Sequence, residues 1–143
     1  YFNTYIRYSV SALKQYKVGI TSSAQMLFVY PHYNNRLTGI RCGHKHQGHE
    51  GCAVFTKKHF NSMGGFISKG EGGNQGEGVK MIAHNEKNMV NLDIKKLMIC
   101  VVHTGEDGNT ICKDQFKDAE IEGNLEGMPQ FQCLQRIISK DSS

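Results

Sequence analysis

The chain contains no tryptophan, only 2 prolines and no extended apolar run. No stretch approaches the roughly 20 apolar residues that a membrane-spanning helix needs, so no membrane partner is expected. No asparagine stands in an Asn-x-Ser/Thr sequon, and glycosylation therefore says nothing about compartment. The chain starts at Tyr1 with no leader segment in view, so secretion has to be argued indirectly. Apolar residues make up 38% of the chain, while glycine accounts for 16 of its 143 residues. That balance argues against a helical bundle. It favours one domain, residues 1–143, with a modest core and long polar loops. The formal net charge of +4 suits a polyanionic partner such as RNA, but many solvated surfaces share it. The 5 cysteines, Cys42, Cys52, Cys100, Cys112 and Cys133, allow two disulfides with one thiol left over. Such a count points to an oxidising compartment, and the pairing stays open.

Residues 4–17 read as a helix, because Ile6, Val10 and Leu13 recur at helical steps. Asn3 or Thr4 can cap its start, Lys14 and Lys17 suit its C-terminal end, and Gly19 stops it. Met26–Tyr30 is a short apolar run closed by Pro31 and reads as a strand. Residues 33–51 read as polar loop, Cys52–Thr56 as a second strand, 64–78 as a glycine-rich loop and Val79–Ala83 as a third strand. Leu97–Val102, a continuous apolar run between lysines and a His-Thr-Gly turn, reads as the clearest strand. Residues 113–129 read as irregular, and 131–138 as either strand or helix. One helix followed by several strands predicts an α+β domain with an antiparallel sheet.

Two segments carry chemistry. One is Tyr30-Pro31-His32-Tyr33-Asn34-Asn35, followed by Gly39; the other is His103-Thr104-Gly105-Glu106-Asp107-Gly108-Asn109. In that order, each leaving a predicted strand, they resemble the two active-site segments of the fungal guanyl-specific ribonucleases, the ribonuclease T-one family. The resemblance covers roughly residues 4–112, leaves out an insertion near 84–96, and leaves 113–143 as an unmatched C-terminal extension. It implies a microbial ribonuclease fold: one N-terminal helix packed on a curved antiparallel sheet.

The resemblance also implies a reaction. Family members turn the RNA 2′-hydroxyl onto the adjacent phosphorus and leave a 2′,3′-cyclic phosphate, with no metal or other cofactor. One group takes the hydroxyl proton and another protonates the departing 5′-oxygen. A cation or strong donor steadies the phosphorane-like oxygens. Imidazole, with an ordinary pKa of about 6.5, suits both transfers. On this pattern His103 is the general acid, His32 assists or replaces the base, and the Tyr30 hydroxyl meets phosphate. The family's basic glutamate falls on Glu50, 18 residues after His32 (50 − 32); in another register, with Phe55 at the aromatic position, it falls on Val54. Lys80 stands where the family has an arginine, keeping the charge without the planar fork. Asn34, Asn35 and Asn109 match base-binding positions, and Arg36 stands where the family has an aromatic residue.

Plainer readings exist for each feature. A histidine after a strand is usually structural, and Lys80 or Glu50 alone reads as a solvated side chain. Cys42, His44, His46, His49 and Cys52 invite a zinc reading, but their spacing matches no standard finger or ribbon, so no metal is expected. The glycines near 70–78 lack phosphate-loop spacing. Two functions remain. The first is a secreted, monomeric endoribonuclease acting on single-stranded RNA. The alternative is a catalytically impaired effector, similar to those that plant-pathogenic mildew fungi secrete on this fold. It would bind host RNA, host proteins or an immune receptor after delivery into host cells. A ribotoxin is a weaker third, because the long basic loops of that group have no convincing counterpart.

Overall fold

Helix α1 spans Tyr5–Tyr16 in the computed structural model, which describes residues 1–41, 48–65, 82, 85–102, 120–124 and 136. The helix starts without a side-chain cap, because Thr4 Oγ1 reaches instead to the Lys96 carbonyl at 3.4 Å. Its buried residues are Ser9, Ala12 and Leu13, with Tyr5 and Tyr8 half-buried beside them. Ile6 is 58% exposed, so the apolar stripe predicted through Ile6 and Val10 is turned about the axis. Small Ser9 and Ala12 let the helix lie close to its support, and the flanking tyrosines supply the apolar area. The helix ends where Lys17 takes a left-handed backbone, φ 55°.

Among the described residues seven strands follow the helix. Strand β1 (Ile20–Ser22) pairs antiparallel with β4 (Val54–Phe55) and parallel with β5 (Met89–Asn91), in the order β4-β1-β5. Strand β2 (Gln25–Tyr30) pairs antiparallel with β3 (Arg36–Arg41) and parallel with β6 (Cys100–Val101). Strand β7 (Glu120–Asn124) adds to β3, giving the order β6-β2-β3-β7. The architecture is therefore α+β, with one N-terminal helix and mixed sheets. The single antiparallel sheet expected from sequence is corrected. Long crossover connections precede β5 and β6, and such crossovers permit parallel pairing.

Alternation along β2 divides the core. Leu27 and Val29, with Leu37 of β3, pack against Phe2 and Ala12 on the helix side. Phe28 and Tyr30 point to the other face, where they pack with Val102, Met26, Ile40 and Cys100. Both faces of this strand are buried, which explains its unbroken apolar run.

Several local expectations change. Residues 36–41, read as loop, form β3, because pairing to β2 and β7 satisfies a backbone whose side chains show no clear alternation. The strand at Leu97–Val102 shrinks to Cys100–Val101. A 3₁₀ turn at Ile94–Lys96 precedes it, and Leu97 is buried from irregular backbone whose carbonyl accepts from Phe2 N at 3.0 Å. Cys52 lies in a 3₁₀ turn, Glu50–Cys52, before β4. A second helix, α2 (Lys57–Ser62), follows β4, capped by Thr56 Oγ1 accepting from His59 N at 3.2 Å. Of the predicted strand at 79–83 only Ile82 is described, and there the chain is helical. Strand β7 falls inside the stretch read as irregular, and 66–81 and most of 131–138 lie outside the described residues. Among the described residues no disulfide occurs: Cys52 Sγ sits 3.8 Å from Ser22 Oγ, and Cys42, Cys112 and Cys133 lie outside them.

Candidate active site at the β2–β3 hairpin

The hairpin loop is built by turn chemistry. Tyr30 ends β2 opposite Arg36, which opens β3. Between them Pro31 starts a 3₁₀ turn, Pro31–Tyr33, that its fixed φ favours. Asn34 and Asn35 then both adopt left-handed backbone, φ 54° and 55°. Asparagine tolerates that region better than most residues, and two in succession reverse the chain. The result holds His32 in solvent, its ring 4.5 Å from that of Tyr33, centroid to centroid, at 50°. Tyr33 is 45% exposed. Tyr30 stands edge-on to His32 at 6.1 Å and is 0% exposed, so its side chain is part of the core rather than an open phosphate contact. Asn35 Oδ1 is buried and accepts no hydrogen bond among the described residues, whereas the Asn34 side chain is exposed. Arg36 is half-buried at the strand start.

Strand β6 approaches the same end of the sheet. It runs parallel to β2 in the register Phe28↔Cys100 and Val29↔Val101, and Val102 N donates to Val29 O at 2.9 Å. Val102 packs with Tyr30. His103, Lys80 and Asn109 lie outside the described residues.

Glu50 is exposed but stands elsewhere. Its turn is tied to the strand that precedes β2: His49 N donates to Ser23 O at 2.7 Å, and Ser22 Oγ donates to His49 O at 2.8 Å. His32 lies past the opposite end of β2. Five steps of about 3.3 Å make that strand roughly 17 Å long, so the structure does not bring Glu50 to His32. Val54, the other register for the base, lies in β4 opposite Thr21.

Two histidines, His49 from the weighed zinc cluster and His59, to which sequence reasoning assigned no role, are structural pivots. His49 Nδ1 accepts from Gly51 N at 3.1 Å, which fixes its proton on Nε2. Burial lowers the His49 pKa, opposed by the Glu50 carboxylate beside it. His49 and Cys52 are thus engaged in the turn itself, while Cys42, His44 and His46 of the weighed zinc cluster lie outside the described residues. His59, 6% exposed, stacks near Phe55 and meets Asn88 Nδ2 through Nδ1 at 3.0 Å. Because Asn88 Oδ1 accepts from Gly19 N at 2.6 Å, the amide must donate to His59, and the imidazole proton again sits on Nε2. Thr56 is of a residue type favoured at helix starts, but it was not read as the cap of α2, and nothing in the sequence announces Asn88. Comparison with known protein-family models, curated proteins and solved structures finds no match to this chain.

Proposed function

We propose that this chain is a secreted, ribonuclease-like protein whose curved sheet binds single-stranded RNA at the β2–β3 hairpin and cleaves it without metal. One observation carries the reading. The in-register parallel pairing of β2 and β6 sets Val102, the residue before His103, beside Tyr30, two residues before His32. Histidines one residue beyond Val102 and two beyond Tyr30 in sequence are the pair we assign to a single phosphate. One removes the 2′-hydroxyl proton as that oxygen attacks phosphorus; the other protonates the departing 5′-oxygen, leaving a 2′,3′-cyclic phosphate. Lys80 supplies charge for the phosphorane oxygens. Tyr33, Asn34, Asn35, Arg36 and Asn109 hold the base. Glu50 drops out of the proton-transfer set because it is anchored at the other end of β2.

That anchoring, with the enclosure of Tyr30, favours a second reading: an effector that binds host RNA or host proteins without cutting. The test is cleavage of single-stranded RNA in EDTA from about pH 4 to about pH 9. Cyclic-phosphate products, with single-stranded DNA spared, support the enzyme. Intact RNA across the range transfers the proposal to the effector.

A further inference from the structure

Among residues 1–49 the chain has no aspartate or glutamate, while it carries Arg7, Lys14, Lys17, Arg36, Arg41 and Lys45. The fold gathers part of this charge at the C-terminal end of α1. Gly19 N donates to both the carbonyl and Oδ1 of Asn88, at 3.1 and 2.6 Å, and Gly19 O accepts from Thr56 N at 2.9 Å. Three chain segments therefore meet at Gly19. Lys17 lies two residues before that junction, Lys57 follows Thr56 and Lys87 precedes Asn88. Lys14 stands one helical turn back from Lys17, and Lys58 continues the start of α2. All five lysines are exposed. Glu86 is the sole acid in residues 14–19, 56–62 and 86–88, so these three segments carry a formal net charge of +4 (5 − 1).

Three of these lysines sit at helix ends. Lys17 holds a left-handed backbone, φ 55°, where glycine or asparagine sits without strain. Lys57 and Lys58 occupy the first turn of α2, which has no acid and where the helix dipole favours negative charge. Together the five exposed lysines form a cationic surface that a polyanion complements. Tyr16, 56% exposed at the last turn of α1, offers an aromatic ring next in sequence to Lys17. Backbone-tracking cations with an interleaved aromatic ring are the chemistry that holds a single nucleic-acid strand.

We infer that this junction is a second docking surface for the phosphate backbone of single-stranded RNA. It lies at one end of the three-stranded sheet, where Gly19, Thr56 and Asn88 adjoin β1, β4 and β5, whereas Tyr30 ends β2 of the four-stranded sheet. It rests on the proposed function for its partner class but shares no residue with the hairpin. A long strand can engage both surfaces; a dinucleotide can engage only one.

The test measures fluorescence anisotropy of a long 2′-O-methyl RNA, which cannot be cut through its 2′ position, with the full chain and the variant Lys14→Gln/Lys57→Gln/Lys58→Gln/Lys87→Gln. Circular dichroism verifies that the variant is folded. The expected result is at least a tenfold loss of affinity. The slope of log affinity against log salt should also become shallower by up to about 2.8, or about 0.7 for each of four phosphate contacts. Cleavage of a dinucleoside phosphate should be unchanged. Equal RNA affinity in a folded variant overturns the inference, as does binding of anionic phospholipid vesicles with no RNA binding. If no dinucleotide is cleaved while the variant still loses RNA affinity, the hairpin reading fails and the docking surface stands.

Discussion

Gly19→Ala probes the junction on which several elements depend. A methyl group at this position would sit 2.6 Å from Asn88 Nδ2 and 2.8 Å from both Cβ and Cγ of His59. Neither neighbour can yield freely. Asn88 is held by Gly19 N and by His59, and His59 is buried beside Phe55. Forcing them apart costs about 1–3 kcal/mol of overpacking, and weakening the Asn88 bonds adds about 1 kcal/mol. Against this, alanine restricts the unfolded chain and returns about 0.4–1 kcal/mol. The clash wins, leaving a net loss of roughly 2–3 kcal/mol. For a chain of this length that is a fall in Tm of roughly 5–10 °C. Thermal unfolding followed by circular dichroism measures it. Gly64→Ala is the control: its φ of +79° brings left-handed strain, but no described residue lies within 4 Å of the added carbon. It should lose only about 1 kcal/mol. A Gly19→Ala protein as stable as the wild type, or less affected than Gly64→Ala, refutes the packing account of the junction.

Two pH effects follow from named groups. Burial, reinforced by Cys52 and Tyr1, pushes the Tyr5 hydroxyl from 10.0 up to about 12. The folded state therefore prefers the protonated phenol. Its stabilisation is intact below about pH 10 and disappears between about 10 and about 12. Urea midpoints across that window should fall less steeply in Tyr5→Phe, and parallel slopes would contradict the burial argument. His49 is shifted the other way: the folded state prefers neutral imidazole. Stability should hold above about pH 6.5, the ordinary histidine value, and decline as pH falls below it. His49→Asn keeps an acceptor for Gly51 N without the titration, so its midpoints should vary less over the same range.

Helix α1 was legible from helical spacing although its buried face, Ser9, Ala12 and Leu13, is turned from the predicted stripe through Ile6, and β2 was legible as a buried apolar run ended by proline. The elements that were not legible owe their form to partners. Strand β3 has mixed side chains and exists because β2 and β7 supply hydrogen bonds on both edges. Helix α2 has six residues, too few for periodicity to speak. The apolar run Leu97–Val102 anchors core positions through a 3₁₀ turn and irregular backbone, since burial alone does not choose a strand. The candidate site divides in the same way. The end of β2 just before His32 was readable because Pro31 closes an apolar run; the return strand β3, which makes the hairpin, was read as loop. The station of Glu50 was not readable, because its spacing from His32 is silent on which end of β2 its turn would bind.

The central claim is that His32 and His103 act together on one phosphate. Cleavage of single-stranded RNA in EDTA by the wild type, His32→Ala, His103→Ala and the double variant tests it most directly. If the imidazoles act as a pair, each single variant loses about 10²–10⁴-fold in rate. The double variant then falls little further, since groups that act as a unit are not additive. Full activity in either single variant, or losses that multiply in the double variant, would contradict the account.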